Sequence, residues 1–260
     1  MKRGWLPKGA TTSTPRIENL WTNSWIAALV VGCIVWGLTA WCIVRYRRKK
    51  GDTGYPVQLR YNVPVEIFYT IVPILMVGVL FAYTARDEKA LLDTSKKADV
   101  TVNVVGKQWS WDFNYVDANT YESGSQAQFT GKAGVEKTLP TLYLPVNKRV
   151  EFVLTARDVI HSFWVPAFQQ KLDMIPGKVN RFQVVPDQLG EYKGKCTELC
   201  GSYHSNMLFN VKVVTQDEYD KHLADLKAKG NVGQLDNSMN REKILKSDDH
   251  LLPKTQETNN

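Results

Sequence analysis

The sequence predicts an α+β membrane protein, with two N-terminal transmembrane helices forming a hairpin and an exported all-β sandwich after them. Three observations predict it. Two apolar runs, 21–44 and 63–83, are each long enough to cross a bilayer. A block of basic residues separates them. Beyond about Val100 the pattern changes to short β-rich runs divided by Gly, Pro, Asn and Asp.

The first run, Trp21 to Val44, carries no charge. At 1.5 Å per residue it reaches about 35 Å, more than a hydrocarbon core of about 30 Å. The second holds one carboxylate, Glu66, near its start, and Pro73 in its middle. A membrane bundle tolerates such a proline because neighbouring groups satisfy the freed carbonyl. Trp21, Trp25 and Trp41 lie toward the ends of the first run, where indoles suit the headgroup level. Arg45, Arg47, Arg48, Lys49 and Lys50 follow it directly and hold the connection in the cytoplasm. Both ends of the hairpin then face outward. The expected organisation is an exported segment 1–20, a hairpin 21–90 with helices at about 21–44 and 63–85, an exported β-domain 91–215 and a region 216–260.

Within the β-domain the clearest strands are 100–105, 141–144, 150–154, 179–185 and 207–214. A polar stretch rich in Gly, Ser and Gln, 117–137, reads as an insertion that is either a disordered hairpin tip or a docking element. Residues 217–229 place acids first and lysines last, with Tyr219, Leu223 and Leu226 on one face, as a short amphipathic helix does. After Gly230 the chain reads as a mobile polar tail, and His222 and His250 as solvated. The net charge of +7 owes much to the cytoplasmic anchor and is not a nucleic-acid signal. No P-loop, GxGxxG or nucleophile elbow is present.

The chemistry concentrates in Cys196-Thr-Glu-Leu-Cys-Gly-Ser-Tyr-His-Ser-Asn-Met207. Two thiols, an imidazole and a thioether on one turning loop select copper over hard cations. His161, at the end of an apolar strand, is the partner from elsewhere in the chain. Two other readings use the same residues. Cys196 and Cys200 suit a disulfide, which leaves the histidines without a role. With His161 and His204 they suit zinc, which leaves Met207 without one.

Two membrane helices, an exported β-domain and Cys-x-Glu-x-Cys-x3-His-x2-Met together resemble the cytochrome c oxidase subunit II family, which carries a dinuclear copper (CuA) centre. The segments Gln108–Phe113, Asp158–Pro166 and Asp173–Lys178 share the likeness. The resemblance implies a cupredoxin-like sandwich in the cell membrane of a respiratory chain, with its C-terminal domain on the outer, periplasmic side. It implies two coppers bridged by Cys196 and Cys200, one also bound by His161 and Met207, the other by His204 and the Glu198 backbone carbonyl. It further implies magnesium at the Glu198 side chain on the boundary with subunit I. Trp109 would be where electrons arrive, and Glu66 the mouth of a proton pathway. Asp158 is near enough in sequence to contact the site.

The implied activity is that of an aa3-type proton-translocating oxidase. A c-type cytochrome delivers single electrons, and the haem groups that reduce oxygen lie in subunit I, with further subunits around it. Acids and bases nearly balance between Asp93 and Thr215, unlike the acidic face that attracts a soluble basic cytochrome. The expected donor is therefore membrane-tethered or held in a bc1–oxidase supercomplex, with 117–137 touching it. The rivals are a copper-free quinol oxidase subunit II, a soluble-type CuA reductase such as nitrous oxide reductase, and a copper-delivery module.

Overall fold

The computed structural model describes residues 5–55, 58–129 and 134–238. Helix α1 spans Thr14–Arg45 and α2 spans Val63–Leu91, and both are long and apolar enough to cross a membrane. Both outrun the predicted spans, because a helix backbone continues past the point where charge begins. Pro15, in the first turn of α1, has no N–H to leave unsatisfied there. At the start of α2, the Asn62 N–H donates to Glu66 Oε1 at 2.8 Å, and the Val65 N–H to Asn62 Oδ1 at 3.4 Å. The two side chains cap the helix reciprocally.

The exported part contains two five-stranded sheets. One has the order β3 (Thr120–Ser123), β2 (Ser110–Tyr115), β1 (Val100–Lys107), β5 (Val150–Ala156), β8 (Asn180–Val184). The other runs β4 (Thr141–Pro145), β10 (Leu208–Val214), β9 (Gly190–Cys196), β6 (His161–Val165), β7 (Gln170–Met174). The β1–β5 and β4–β10 pairs are parallel and the others antiparallel. Aromatic rings join the sheets: Trp111 on β2 meets Phe209 on β10 with centroids 5.0 Å apart, and Phe152 on β5 meets Phe163 on β6 at 5.2 Å. A ring pair of this kind adds roughly 0.5–1.5 kcal/mol to the area it buries.

Strand β10 alternates between buried and half-buried residues, as its sequence suggests. Strand β2 is buried at every position, so it lacks that alternation and reads only as an aromatic segment. The chain after helix α3 (Gln216–Ala228) explains the burial, and it corrects the expectation of a mobile tail for 231–238. Asn114 Nδ2 donates to the Leu235 carbonyl at 3.0 Å, and the Leu235 N–H returns to Asn114 Oδ1 at 2.8 Å. Asn237 donates to Asn103 Oδ1, and Asn103 in turn donates to the Val153 carbonyl. Residues 239–260, His250 among them, lie outside the described residues.

Two further expectations change. His222 is not solvated: its ring stacks on Tyr143 with centroids 3.7 Å apart, and burial, with Lys229 next, lowers its pKa to about 4. The stretch 117–137 is not wholly a disordered tip, because it contains β3 and most of a 3-10 turn at Val135–Thr138. Asp112 Oδ1 accepts from Lys107 Nζ, Ser123 Oγ and the Gly124 N–H, which fixes the start of the stretch to β2. Asn210 Nδ2 donates to the Glu136 carbonyl at 2.8 Å, which fixes the far end to β10. Residues 130–133 between them lie outside the described residues.

The β-domain also takes in chain that precedes α1. The Ala10 N–H donates to the Ala167 carbonyl, the Thr12 N–H to that of Val185 and the Asp187 N–H to that of Ala10. Residues 6–15 and the chain from Leu91 onward thus form one compact unit. A single folded unit lies on one side of a membrane, so the two ends of the hairpin share a side. The basic connection independently predicts the same topology.

Candidate metal centre

Strand pairing assembles the centre. Strand β6 lies beside β9 with Phe163 opposite Cys196, and the two-residue side-chain period puts His161 on the same face as Phe163. The Cys196 N–H donates to the Met207 carbonyl at 3.0 Å and closes the loop between β9 and β10. Gly194 permits this pairing, because a Cβ there would lie 2.0 Å from the Phe209 ring.

Cys196 Sγ lies 3.9 Å from Cys200 Sγ, 3.8 Å from His161 Nδ1 and 3.2 Å from the Glu198 carbonyl oxygen. Cys200 Sγ lies 3.4 Å from His204 Nδ1 and 3.8 Å from Met207 Sδ. The six donor atoms singled out in the sequence therefore converge. A sulfur separation of 3.9 Å is far beyond a disulfide bond of about 2.05 Å, and both cysteines are free. Two atoms that share a metal at bonds of about 2.3 Å lie no more than about 4.6 Å apart. Every neighbouring pair satisfies that limit, and the thioether, which zinc does not require, is within it. The donor set fits copper.

His161, Cys196, Cys200 and Met207 are buried, His204 is half-buried and the Glu198 side chain is exposed. Asp158 Oδ1 sits 2.8 Å from His161 Nε2, which orients the ring so that Nδ1 faces the sulfurs. The same carboxylate accepts the Gln108 and Val159 N–H groups at 2.6 and 2.7 Å. Gly106 makes room, since a Cβ there would come within 2.9 Å of the imidazole. Burial works against the charged forms of this pair, but their hydrogen bond prevails. It raises the His161 pKa and lowers that of Asp158. Burial and the neighbouring Cys196 push the Cys200 thiol up to about 12. Burial also opposes the Cys196 thiolate, yet hydrogen bonding with His161 leaves its pKa lowered.

Trp109 is half-buried, meets Tyr203 edge-on at 4.9 Å and donates from Nε1 to the Cys200 carbonyl at 3.1 Å. Gln108 Nε2 donates to the same carbonyl at 2.7 Å. Sequence reasoning missed Gln108 as a contact of the centre; its place beside the aromatic pair was the available signal. Asn206, between two donors, was missed as well, and its amide donates to the Ala127 carbonyl at 3.4 Å. Trp111 is core, with its indole N–H 3.3 Å from the Met207 carbonyl. Glu66 is not part of this cluster; it lies in the helical unit, where it caps α2.

These features define a class: membrane-anchored β-sandwich proteins that hold a soft-metal site on their exported loops. A family model described as cytochrome c oxidase subunit II, periplasmic domain, matches residues 100–214. The probable cytochrome c oxidase subunit 2 of Streptomyces avermitilis is 48% identical over 256 residues, covering 88% of this chain and 80% of that protein. Cytochrome c oxidase subunit 2 of Mycobacterium tuberculosis is 34% identical over 268 residues, covering 85% and 74%. Among solved structures, the periplasmic domain of subunit II of cytochrome oxidase of Bradyrhizobium japonicum is 32% identical, with a TM-score of 0.45 and coverage of 52% of this chain and 97% of that one. The chain belongs to the cytochrome c oxidase subunit II family. It is a membrane subunit of an oxidoreductase complex, and its C-terminal domain is exported.

Proposed function

We propose that this chain is the electron-accepting subunit of an aa3-type oxidase, built around a CuA centre. The observation that carries the reading is the convergence of six donor atoms, with neighbouring separations of 3.2–3.9 Å around the two free sulfurs. Cys196, Cys200, His161, Met207, His204 and the Glu198 carbonyl would hold two copper ions, which would supply a one-electron redox unit.

The protein's part is to hold that donor set rigid and dry. Asp158 fixes the His161 ring, and Gln108 and Trp109 fix the Cys200 backbone. The Trp109 indole reaches from the exposed Tyr203 to the bridging cysteine, a path for electrons arriving from a c-type cytochrome. Electrons leave toward the haem groups of subunit I, where oxygen is reduced and protons are pumped. The Glu198 carboxylate is exposed, and as a hard oxygen ligand it would take magnesium at the subunit I boundary. Glu66 caps α2, and a role at the mouth of a proton pathway uses the same carboxylate. The donor is a membrane-tethered or supercomplex-bound cytochrome that touches the stretch 117–137; deleting 125–133 should slow electron arrival from that donor and spare arrival from a small chemical reductant.

Copper analysis with electron paramagnetic resonance tests the reading. We expect two coppers per chain and a spin shared between them in the wild type, with the shared signal lost in Cys200→Ser. A colourless, zinc-loaded protein refutes it. Trp109→Phe should slow electron arrival while copper content stays at the wild-type level.

A further inference from the structure

The two membrane helices enclose a groove of about 1080 Å³ that the metal chemistry does not use. Its walls are one face of each helix, with polarity graded along both. On α1 the face runs through Arg16, Asn19, Asn23 and Ala27, at helical spacing. On α2 it runs back from Asp87 and Arg86 through Tyr83 and Leu80 to Met76. The step from Arg16 to Ala27 climbs about 17 Å at 1.5 Å per residue. That length matches one leaflet, half of a hydrocarbon core of about 30 Å.

The rim is cationic. Asp87 is 3% exposed and gathers two guanidiniums, with Arg16 Nη1 at 2.8 Å and Arg86 Nη2 at 2.9 Å from the same oxygen. The cluster keeps one net positive charge, and each guanidinium has N–H donors beyond those given to Asp87. Below the rim, the Asn19 and Asn23 amides make no hydrogen bond among the described residues. They stand about 4.5 and 10 Å deeper than Arg16 along the helix. Amides at that depth need partners, because little water reaches them. Deeper still the lining is aliphatic.

We infer that this groove binds one anionic glycerophospholipid of the outer leaflet, its phosphate on Arg16 and Arg86, its ester carbonyls on Asn19 and Asn23 and an acyl chain against Ala27 and Met76. The order of charge, amide and hydrocarbon follows the order of groups along such a lipid. The basic cytoplasmic connection puts this end of the hairpin on the outer side. The single surplus positive charge complements one phosphodiester. The inference does not depend on the copper reading.

A photoreactive residue at position 27 tests it in native membranes containing the assembled complex. Irradiation should give an adduct of phospholipid mass on this chain. A crosslink to another polypeptide would mean that a neighbouring subunit's helix fills the groove, and would overturn the inference. Lipid analysis of the delipidated, purified complex is the second measurement. We expect about one retained anionic phospholipid per chain in the wild type. It should be lost in Ala27→Phe, which blocks the groove and leaves every charge in place, and in the triple variant R16Q/R86Q/D87N, which removes the charges together and leaves no unpaired buried carboxylate. Equal retention in wild type and both variants refutes the site.

Discussion

His161 Nδ1 lies beside Cys196 Sγ and His204 Nδ1 beside Cys200 Sγ, and the two rings are held in different ways. His161 sits on β6, is fully buried, and is fixed by a carboxylate and by the space left at Gly106. His204 opens a three-residue 3-10 turn, is half-buried and has no such carboxylate among the described residues. One histidine belongs to the sandwich, and the other belongs to the loop that the sandwich closes. The His161 flank should therefore be formed before any metal arrives, whereas metal binding should order the His204 flank.

Replacing each histidine by alanine in the metal-free protein tests this contrast most directly. His161→Ala empties a buried site and strands Asp158, and should cost about 3 kcal/mol in denaturant unfolding. His204→Ala, on a half-buried three-residue turn with no carboxylate left stranded, should cost no more than about 0.5 kcal/mol. Equal losses would refute the contrast. Gly106→Ala presses on the imidazole without removing it, and should cost about 2 kcal/mol while altering the copper spectrum. Asp158→Asn keeps the shape and removes the charge; metal affinity, measured by competition with a chelator, should fall about 10-fold to 100-fold.

The smallest effect concerns a histidine remote from the metal. His222 has its pKa lowered to about 4 in the folded protein, against about 6.5 unfolded. Between those values the unfolded chain binds more protons, so stability rises with pH there. His222's contribution is complete above about 6.5 and is lost as pH falls toward 4. His222→Phe keeps the stacking on Tyr143 and should flatten that part of the stability curve. An unchanged slope would mean that other groups govern it.

The clustered side chains were legible in the sequence because Cys196, Cys200, His204 and Met207 share one short loop and chemistry constrains their types. His161 was legible because it sits in the apolar stretch 159–165, although it opens strand β6 and does not end one. The reciprocal cap formed by Asn62 and Glu66 was not read, since a carboxylate in an apolar helix suggests transport before it suggests a helix end. Strand β9 was hidden by its lysines and glycines, and the fit of Gly194 depends on Phe209 across the pair. Asn103 and Asn114 look like solvent-facing positions in their strands. They are buried because a segment more than a hundred residues away covers them, and no local period encodes such a distance.

The segment 6–15, which leads into the first helix, carries a practical consequence for fragment work. A soluble piece beginning after α2 would carry the whole metal loop, yet the backbone groups of Ala167, Val185 and Asp187 would lose their partners in 10–12. A synthetic peptide spanning 6–15 should then dock in trans and raise the melting temperature of the truncated piece. Topogenesis is affected too: translocation must deliver the leading end before the sandwich can seal.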